Sequence, residues 1–188
     1  MDERAAISSF LSDLINIEQP GLYEHSKRVA EYALMLADKI GLDESQRQMI
    51  YESAMLHDIG KSEIPDHILN KPGRLTPEEY DVIKEHTIAG YNAIKDINEL
   101  KSLGPAILHH HERIDGQGYP CGLHGDDIPL AARILAIADS FDAMTSYRPY
   151  RKAMTIQEAA DELRANSGSQ FDGRLVDCFL SLSIFNNS

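Results

Sequence analysis

The sequence has no tryptophan and only two cysteines, Cys121 and Cys178, among its 188 residues. Two cysteines so far apart are too few for a disulfide framework or a zinc site built from cysteines, so we expect both to be free thiols. Any metal ion bound by this chain should therefore be held by histidines and carboxylates.

Long apolar runs are also missing from the chain. No stretch approaches the roughly 20 residues that cross a membrane. The start Met-Asp-Glu-Arg lacks the basic and apolar regions of a signal peptide. We therefore expect a cytoplasmic protein without a membrane span.

Positive charge is scarce as well, since 18 Lys and Arg residues stand against 30 Asp and Glu residues and give a net charge of −12. Sequence-independent binding of DNA or RNA needs many cationic contacts to phosphates, so this balance argues against it. A small anionic substrate is not excluded, because bound divalent cations would dominate the field of a local site.

The composition, with 43% hydrophobic and 26% charged residues, predicts one soluble globular domain with a substantial core. Apolar residues recur at helical spacing and period-2 alternation is nowhere sustained, so we predict an all-α fold. One of the predicted helices runs from about Glu99 to His110. Three capping pairs mark helix starts: they are Asp43 with Gln46, Thr76 with Glu79, and Thr155 with Glu158.

The first residues of the chain predict an amphipathic helix that buries one face against the body of the protein or a partner. Its apolar residues are Ile7, Phe10, Leu11, Leu14 and Ile15. This helix is either a packing element or the end of a connector from a sensor or receiver domain. The breaker Gln19-Pro20-Gly21 then divides the chain into an N-terminal helix or connector, 1–18, and a domain, 19–188.

Two adjacent histidines, His110 and His111, draw attention to a metal site. Neighbouring side chains on a helix point about 100° apart, so both cannot lie in one apolar stripe unless a polar group lies between them. A metal ion is the simplest such group, and imidazole with carboxylate ligands suits iron, manganese, zinc or cobalt. Asp139, beside an apolar stripe of a later predicted helix, likewise requires a partner.

The stretch from His110-His111-Glu112 through Asp115-Gly116 to Gly118-Tyr119-Pro120 resembles the signature of the HD-GYP family of bacterial cyclic-dinucleotide phosphodiesterases. The family's other signature is matched by His57-Asp58-Ile59-Gly60-Lys61. The motifs occur in the expected order, and the resemblance runs from about residue 22 to about residue 180.

This resemblance implies an HD-type helical bundle with a binuclear metal site. It implies two divalent transition-metal ions, with iron or manganese favoured over zinc, cobalt or nickel. Asp58 would bridge the two ions. One ion would be held by His25, His57, Asp58 and Asp139, and the other by Asp58, His86, His110 and His111.

The resemblance also implies contacts to an anionic substrate. Lys61 would act beside Asp58 in catalysis and pair with a phosphate oxygen. Further substrate contacts are expected from Tyr119, Asp142, Arg148 and Arg151. The chain departs from the usual family pattern at Tyr147, where an aspartate commonly precedes the arginine.

The implied function is hydrolysis of cyclic di-GMP to the linear dinucleotide pGpG in second-messenger signalling. Two alternatives stay open: the same chemistry on cyclic GMP-AMP or a nucleoside phosphate, and a non-catalytic module that senses nucleotides or binds proteins. Expected partners are sensor, receiver or diguanylate cyclase proteins, or a second copy of the chain in a homodimer.

One position predicts the extent of hydrolysis. Some family members carry a glutamate one helical turn before the first histidine, where it helps to hold a third metal, and Gly21 occupies that position here. Pro20-Gly21 also suggests that the helix has not yet begun at this point. We therefore expect two metal ions and a linear product.

Overall fold

The computed structural model describes residues 3–147 and 152–185, and within these ranges every named element is a helix. The prediction of an all-α fold is therefore confirmed. The α-helices are α1 (Glu3–Glu18), α2 (Pro20–Lys39), α3 (Glu44–Leu56), α4 (Asp66–Leu69), α5 (Pro77–Lys84), α6 (His86–Ile94), α7 (Gly104–His109), α8 (Leu130–Thr145), α9 (Ile156–Ala165) and α10 (Gly173–Leu180). Short 3-10 helices cover Ile59–Glu63, Lys101–Leu103, Gly125–Asp127 and Ser183–Phe185.

The predicted capping pairs all form. Asp43, Thr76 and Thr155 each accept a hydrogen bond from the backbone N–H three residues later, and the Gln or Glu at that position bonds back to the cap. These reciprocal bonds satisfy amide groups that have no partner inside the helix. The starts of α3, α5 and α9 are therefore fixed by local sequence.

Two predicted helix boundaries were wrong, and proline explains both. Helix α2 begins at Pro20, so Gly21 lies inside it. Proline suits the first turn of a helix, because its φ is already helical and its missing N–H needs no partner there. The predicted helix from Glu99 to His110 is instead the 3-10 turn Lys101–Leu103 followed by α7, whose first turn contains Pro105.

The N-terminal helix also differs in part from its prediction. Ile7, Leu11 and Ile15 pack against buried residues of the body, as expected. Phe10 and Leu14 stay partly exposed to solvent, with 61% and 39% of their surface accessible. The buried stripe follows i, i+4 and i+8, which leaves residues 10 and 14 outside it.

The buried apolar side chains of the described residues form two clusters. The larger one joins α2, α8 and α10 through fully or nearly fully buried side chains such as Leu36, Leu135, Phe141 and Phe179. The smaller one contains Leu56, Ile94, Leu100, Leu103 and Ile107, and α1 packs against it. Among the described residues, no helix has the length and apolar character needed to cross a membrane.

Candidate metal centre

Five separate segments deliver the predicted ligands to one place. His25 lies on α2, His57 and Asp58 follow α3, His86 starts α6, His110 and His111 follow α7, and Asp139 lies on α8. His57, Asp58, His86 and His110 are almost completely buried. Polar side chains buried at such a depth need partners, and these four lie close to one another and to nearby backbone carbonyls.

The side chains form two groups whose ligand atoms lie within 4.8 Å of one another: His25, His57 and Asp58, and His86, His110 and His111. Asp58 contacts both groups. Its Oδ2 is 3.3 Å from Nε2 of His57, and its Oδ1 is 3.3 Å from Nε2 of His86. Asp139 adds a carboxylate oxygen 3.2 Å from Nε2 of His25. The structure thus brings all seven predicted ligands together.

Backbone carbonyls determine which nitrogen of three histidines is available. In His57, His86 and His110, Nδ1 lies within hydrogen-bond distance of a carbonyl oxygen three residues earlier. A carbonyl can only accept, so Nδ1 must carry the hydrogen, and in the neutral ring the lone pair is then on Nε2. The carbonyls belong to Ala54 at 2.7 Å, Ile83 at 2.6 Å and Ile107 at 2.7 Å.

The lone pairs of these rings face one another. Nε2 of His86 is 3.4 Å from Nε2 of His110. Within the described residues, Nε2 of His57 and Oδ1 of Asp58 are buried without a hydrogen-bond partner. Buried acceptors that converge without donors are unfavourable unless a cation lies among them. The residues therefore fit a site for metal ions with nitrogen and oxygen ligands.

The protonation states agree with this fit. Burial lowers the pKa of His86, lowers that of His110 well below its usual value, and lowers that of His111 to about 4. These rings are neutral at pH 7 and keep their lone pairs. Burial alone would raise the pKa of Asp58, but its interactions with His57 and Lys61 outweigh burial and hold that pKa well below the usual range.

His25 has a different environment. Burial would lower its pKa, but hydrogen bonds to Asp139 and Asp142 outweigh burial and raise the pKa to about 9. Without metal, this ring therefore carries a proton at neutral pH. A metal ion bound by Nε2 of His25 would have to displace that proton.

Asp142 contacts the Nδ1 side of the His25 ring, away from Nε2. Its Oδ2 is 2.7 Å from Nδ1 of His25, and its Oδ1 accepts from Nε of Arg28 at 2.6 Å and from Oγ of Ser146 at 3.0 Å. Nη2 of Arg28 donates to Oδ2 as well, at 3.1 Å. The carboxylate thus orients the His25 ring, and its predicted substrate contact stays a prediction. Arg28 was missed in the sequence, although its position one helical turn after His25 puts both on one face of α2.

Two further predicted site residues lie next to the ligand groups. Nζ of Lys61 is 2.5 Å from Oδ2 of Asp58. The ring of Tyr119 stacks on that of His111 with centroids 4.9 Å apart, and burial raises the pKa of its hydroxyl. Arg148 and Arg151 lie outside the described residues.

Two glycines allow backbone segments of the site to approach closely. A Cβ atom at Gly60 would collide with the backbone of His86 and Gly90, and one at Gly118 would collide with the backbone of Glu112 and Arg113. Gly60 thereby lets the segment after Asp58 lie against the start of α6. One glycine of each signature, Gly60 and Gly118, is therefore needed for packing at the site.

A cleft of about 1350 Å³ opens over the two ligand groups. Its walls include charged and polar side chains as well as aromatic rings, among them Glu18, Arg28, Lys61, Tyr80, Arg113 and Gln170. Typical small-molecule sites occupy roughly 300 to 1000 Å³. The cleft is thus large enough for a ligand of dinucleotide size.

The amino-acid sequence is similar to those of known proteins. Residues 9–175 match the family model of the HD domain. The "Cyclic di-GMP phosphodiesterase response regulator RpfG" of Xanthomonas campestris pv. campestris is 43% identical over 180 residues, which are 95% of this chain and 47% of that protein. The "3'3'-cGAMP-specific phosphodiesterase 2" of Vibrio cholerae is 42% identical over 158 residues, which are 83% of this chain and 30% of that protein. The chain thus spans about half or less of the length of these relatives.

A solved structure supports the same relationship. The protein described as "Bd1817, a HDG"Y"P protein from Bdellovibrio bacteriovorus" superimposes with a TM-score of 0.71 at 25% sequence identity. The superposition covers 90% of this chain and 55% of that chain. Similarity in sequence and in fold therefore extends over the whole region that carries the ligand groups.

Proposed function

The chain belongs to the HD domain family, as its HD-GYP motifs predicted, and we propose that it is a metal-dependent phosphodiesterase that hydrolyses cyclic di-GMP to linear pGpG. The observation that carries the proposal is Asp58, whose two oxygens face two separate groups of histidines at the base of a large cleft. A carboxylate in this position suits a bridge between two ions.

The proposed cofactor is a pair of divalent transition-metal ions, with iron or manganese favoured and zinc, cobalt or nickel as alternatives. His25, His57, Asp58 and Asp139 would hold one ion, and Asp58, His86, His110 and His111 the other. The donor set supports this proposal, because imidazole nitrogen and carboxylate oxygen suit these metals. When bound, two such ions would supply Lewis acidity toward the phosphodiester and lower the pKa of a water nucleophile.

The protein's own groups would position the substrate. Lys61 lies beside Asp58 with a quarter of its side chain exposed, so its ammonium group can pair with a phosphate oxygen entering the cleft. Tyr119 forms a flat wall against His111 and would limit where the substrate lies. Asp142 would keep His25 in its ligand orientation. Contacts from Arg148 and Arg151 to phosphate or guanine stay predictions.

The proposed main product is the linear dinucleotide. Gly21 occupies the position from which a glutamate would help to hold a third ion, and a glycine offers no ligand. Because α2 already begins at Pro20, the helix itself would deliver such a side chain, and its absence is due to the glycine alone. With one ion fewer to hold a terminal phosphate, pGpG should leave before a second cleavage.

A panel of cyclic dinucleotides, with metal content and products measured on the same preparation, tests the proposal. Cyclic di-GMP should be consumed with pGpG as the main product. Cleavage of 3'3'-cGAMP in preference to cyclic di-GMP would favour the second candidate, which the relative from Vibrio cholerae supports. Binding without turnover by the metal-loaded protein would favour a sensing or protein-binding module. A cytoplasmic location, a homodimer, and sensor, receiver or diguanylate cyclase partners stay predictions.

A further inference from the structure

A third group of potential ligands lies outside the two at the base of the cleft. It consists of His109, Glu112 and Cys121, whose ligand atoms lie within 4.8 Å of one another. His109 ends α7, and Cys121 lies in the loop that follows it. The group combines an imidazole, a carboxylate and a thiol, and none of these three side chains serves the proposed reaction.

Backbone hydrogen bonds hold the three residues together. The N–H of Glu112 donates to the carbonyl oxygen of His109 at 3.0 Å. The N–H of Cys121 donates to Oε1 of Glu112 at 2.7 Å, and the N–H of Leu123 donates to Oε2 at 3.1 Å. The loop is therefore fixed with the Cys121 backbone beside the Glu112 carboxylate.

The polar atoms inside the group are incompletely paired. Glu112 is buried, and Nδ1 of His109 lies 3.6 Å from its Oε1, beyond hydrogen-bond distance. That nitrogen is itself buried and has no hydrogen-bond partner among the described residues. Cys121 is exposed, so solvent and ions can reach the group from its side.

We propose that His109, Glu112 and Cys121 bind a zinc-type divalent cation, with solvent as the fourth ligand. Zinc bonds of about 2.0 to 2.3 Å put neighbouring ligand atoms roughly 3.5 Å apart in a tetrahedron. Nδ1 of His109 and Oε1 of Glu112 are already 3.6 Å apart. The exposed Cys121 side chain can rotate to bring its sulfur to the same ion.

The donor types select the ion. A thiolate with an imidazole suits zinc and cobalt and disfavours magnesium, calcium and manganese. On binding, the S–H bond of Cys121 loses its proton to solvent and a sulfur–metal bond forms, so affinity should fall at low pH. The ion would tie the loop that carries Tyr119 to the last residue of α7, His109, which directly precedes His110. The site does not depend on the proposed phosphodiesterase function.

Cobalt provides a spectroscopic signal that the proposed catalytic centre cannot produce. Cobalt bound to a thiolate gives a charge-transfer absorption in the near ultraviolet, whereas the seven predicted ligands of the cleft include no sulfur. Adding Co²⁺ to the full-length protein should therefore produce this band only through a cysteine. One equivalent of Zn²⁺ bound at the site should remove it.

Variants assign the band to the site. Cys121→Ser should abolish the band. His109→Ala should weaken the cobalt affinity obtained by titrating the band by more than about tenfold. Cys178→Ser is the matched control, since it removes the chain's other thiol and should leave the band unchanged. The proposal is overturned if the wild type gives no band, if Cys121→Ser keeps it, or if titration of the band gives the same cobalt affinity for His109→Ala as for the wild type.

Discussion

Replacement of Asp142 by alanine distinguishes two roles for this residue. The sequence predicted a substrate contact, whereas the structure places the carboxylate 2.7 Å from Nδ1 of His25, on the side of the ring opposite the ligand nitrogen. If Asp142 orients His25, its loss should weaken metal binding. If it contacts substrate, its loss should raise KM and leave the metal content unchanged.

The expected loss of metal affinity follows from the contacts of the Asp142 carboxylate. Asp142 accepts hydrogen bonds from His25, Arg28 and Ser146, and its side chain is only 2% exposed. Removing a carboxylate that orients a ligating histidine typically lowers metal affinity 10- to 100-fold, or by about 1.4 to 2.8 kcal/mol. We expect Asp142→Ala to lose affinity within this range.

Asp142→Asn should lose less affinity than Asp142→Ala. The amide can keep its oxygen toward Nδ1 of His25 only by turning its NH₂ group toward Nε of Arg28 and Oγ of Ser146. The bonds to His25 and from Nη2 of Arg28 then survive, while the bond from Nε of Arg28 is lost. A graded loss from asparagine to alanine would indicate that orientation of His25 is the function of Asp142.

The assay is metal affinity by competition with a chelator, measured beside KM and kcat. Asp172→Ala is the matched control, because Asp172 is also a buried, ion-paired aspartate, with its side chain 7% exposed and 2.8 Å from Nη1 of Arg133, but it does not line the cleft. It should lower thermal stability without changing metal affinity. A raised KM with unchanged metal affinity in Asp142→Ala would refute the orienting role and support the substrate contact.

Four further predictions concern the same cleft. Asp58→Ala should remove both metal ions and the activity, because Asp58 faces both histidine groups; elemental analysis that still finds two ions per chain would contradict this. Lys61→Ala should keep the metal ions and lower kcat/KM about 10- to 100-fold, the size of a lost charge-assisted contact of roughly 1.5 to 3 kcal/mol, and unchanged kinetics would contradict it. Gly21→Glu should add a third ion and shift the product toward GMP, since a Cβ at this position meets no atom within 4 Å; product chromatography that still shows only pGpG would count against the assignment. In metal-free protein, the raised pKa of His25 contributes stability that is complete below pH 6.5 and lost as pH rises through about 9, so the Tm of chelator-treated protein should fall across that interval, and a Tm that is flat there would contradict the sign.

The sequence was sufficient for features that depend on neighbouring residues. The capping box at Asp43 needs only Gln46, three residues along, so the start of α3 could be predicted without any tertiary information. The glycine-rich loop and the two histidine signatures are also local patterns. By contrast, the inward stripe of α1 depends on which side the body covers, and the exposure of Phe10 could not be read from spacing.

The remaining site features depend on long-range contacts. Asp142 and His25 are 117 residues apart in sequence, so their hydrogen bond has no local signal. The group formed by His109, Glu112 and Cys121 was missed for a related reason. A single cysteine carries no motif, and only the folded loop shows that Cys121 returns to the carboxylate of Glu112. The small number of cysteines therefore excluded a metal site with several thiolates, but not a site that combines one thiolate with a histidine and a carboxylate.

One local device explains how a bundle of short helices can build a metal centre. The last carbonyls of a helix lack intrahelical donors. In α3, α5 and α7, a carbonyl of the last turn lies within hydrogen-bond distance of Nδ1 of a histidine three residues later: His57, His86 and His110. Each bond uses a carbonyl at the end of a helix and, because the carbonyl can only accept, leaves the lone pair of the neutral ring on Nε2. The ends of three helices therefore present their ligands already oriented, with Nε2 of His57 and Nε2 of His86 each 3.3 Å from an oxygen of Asp58.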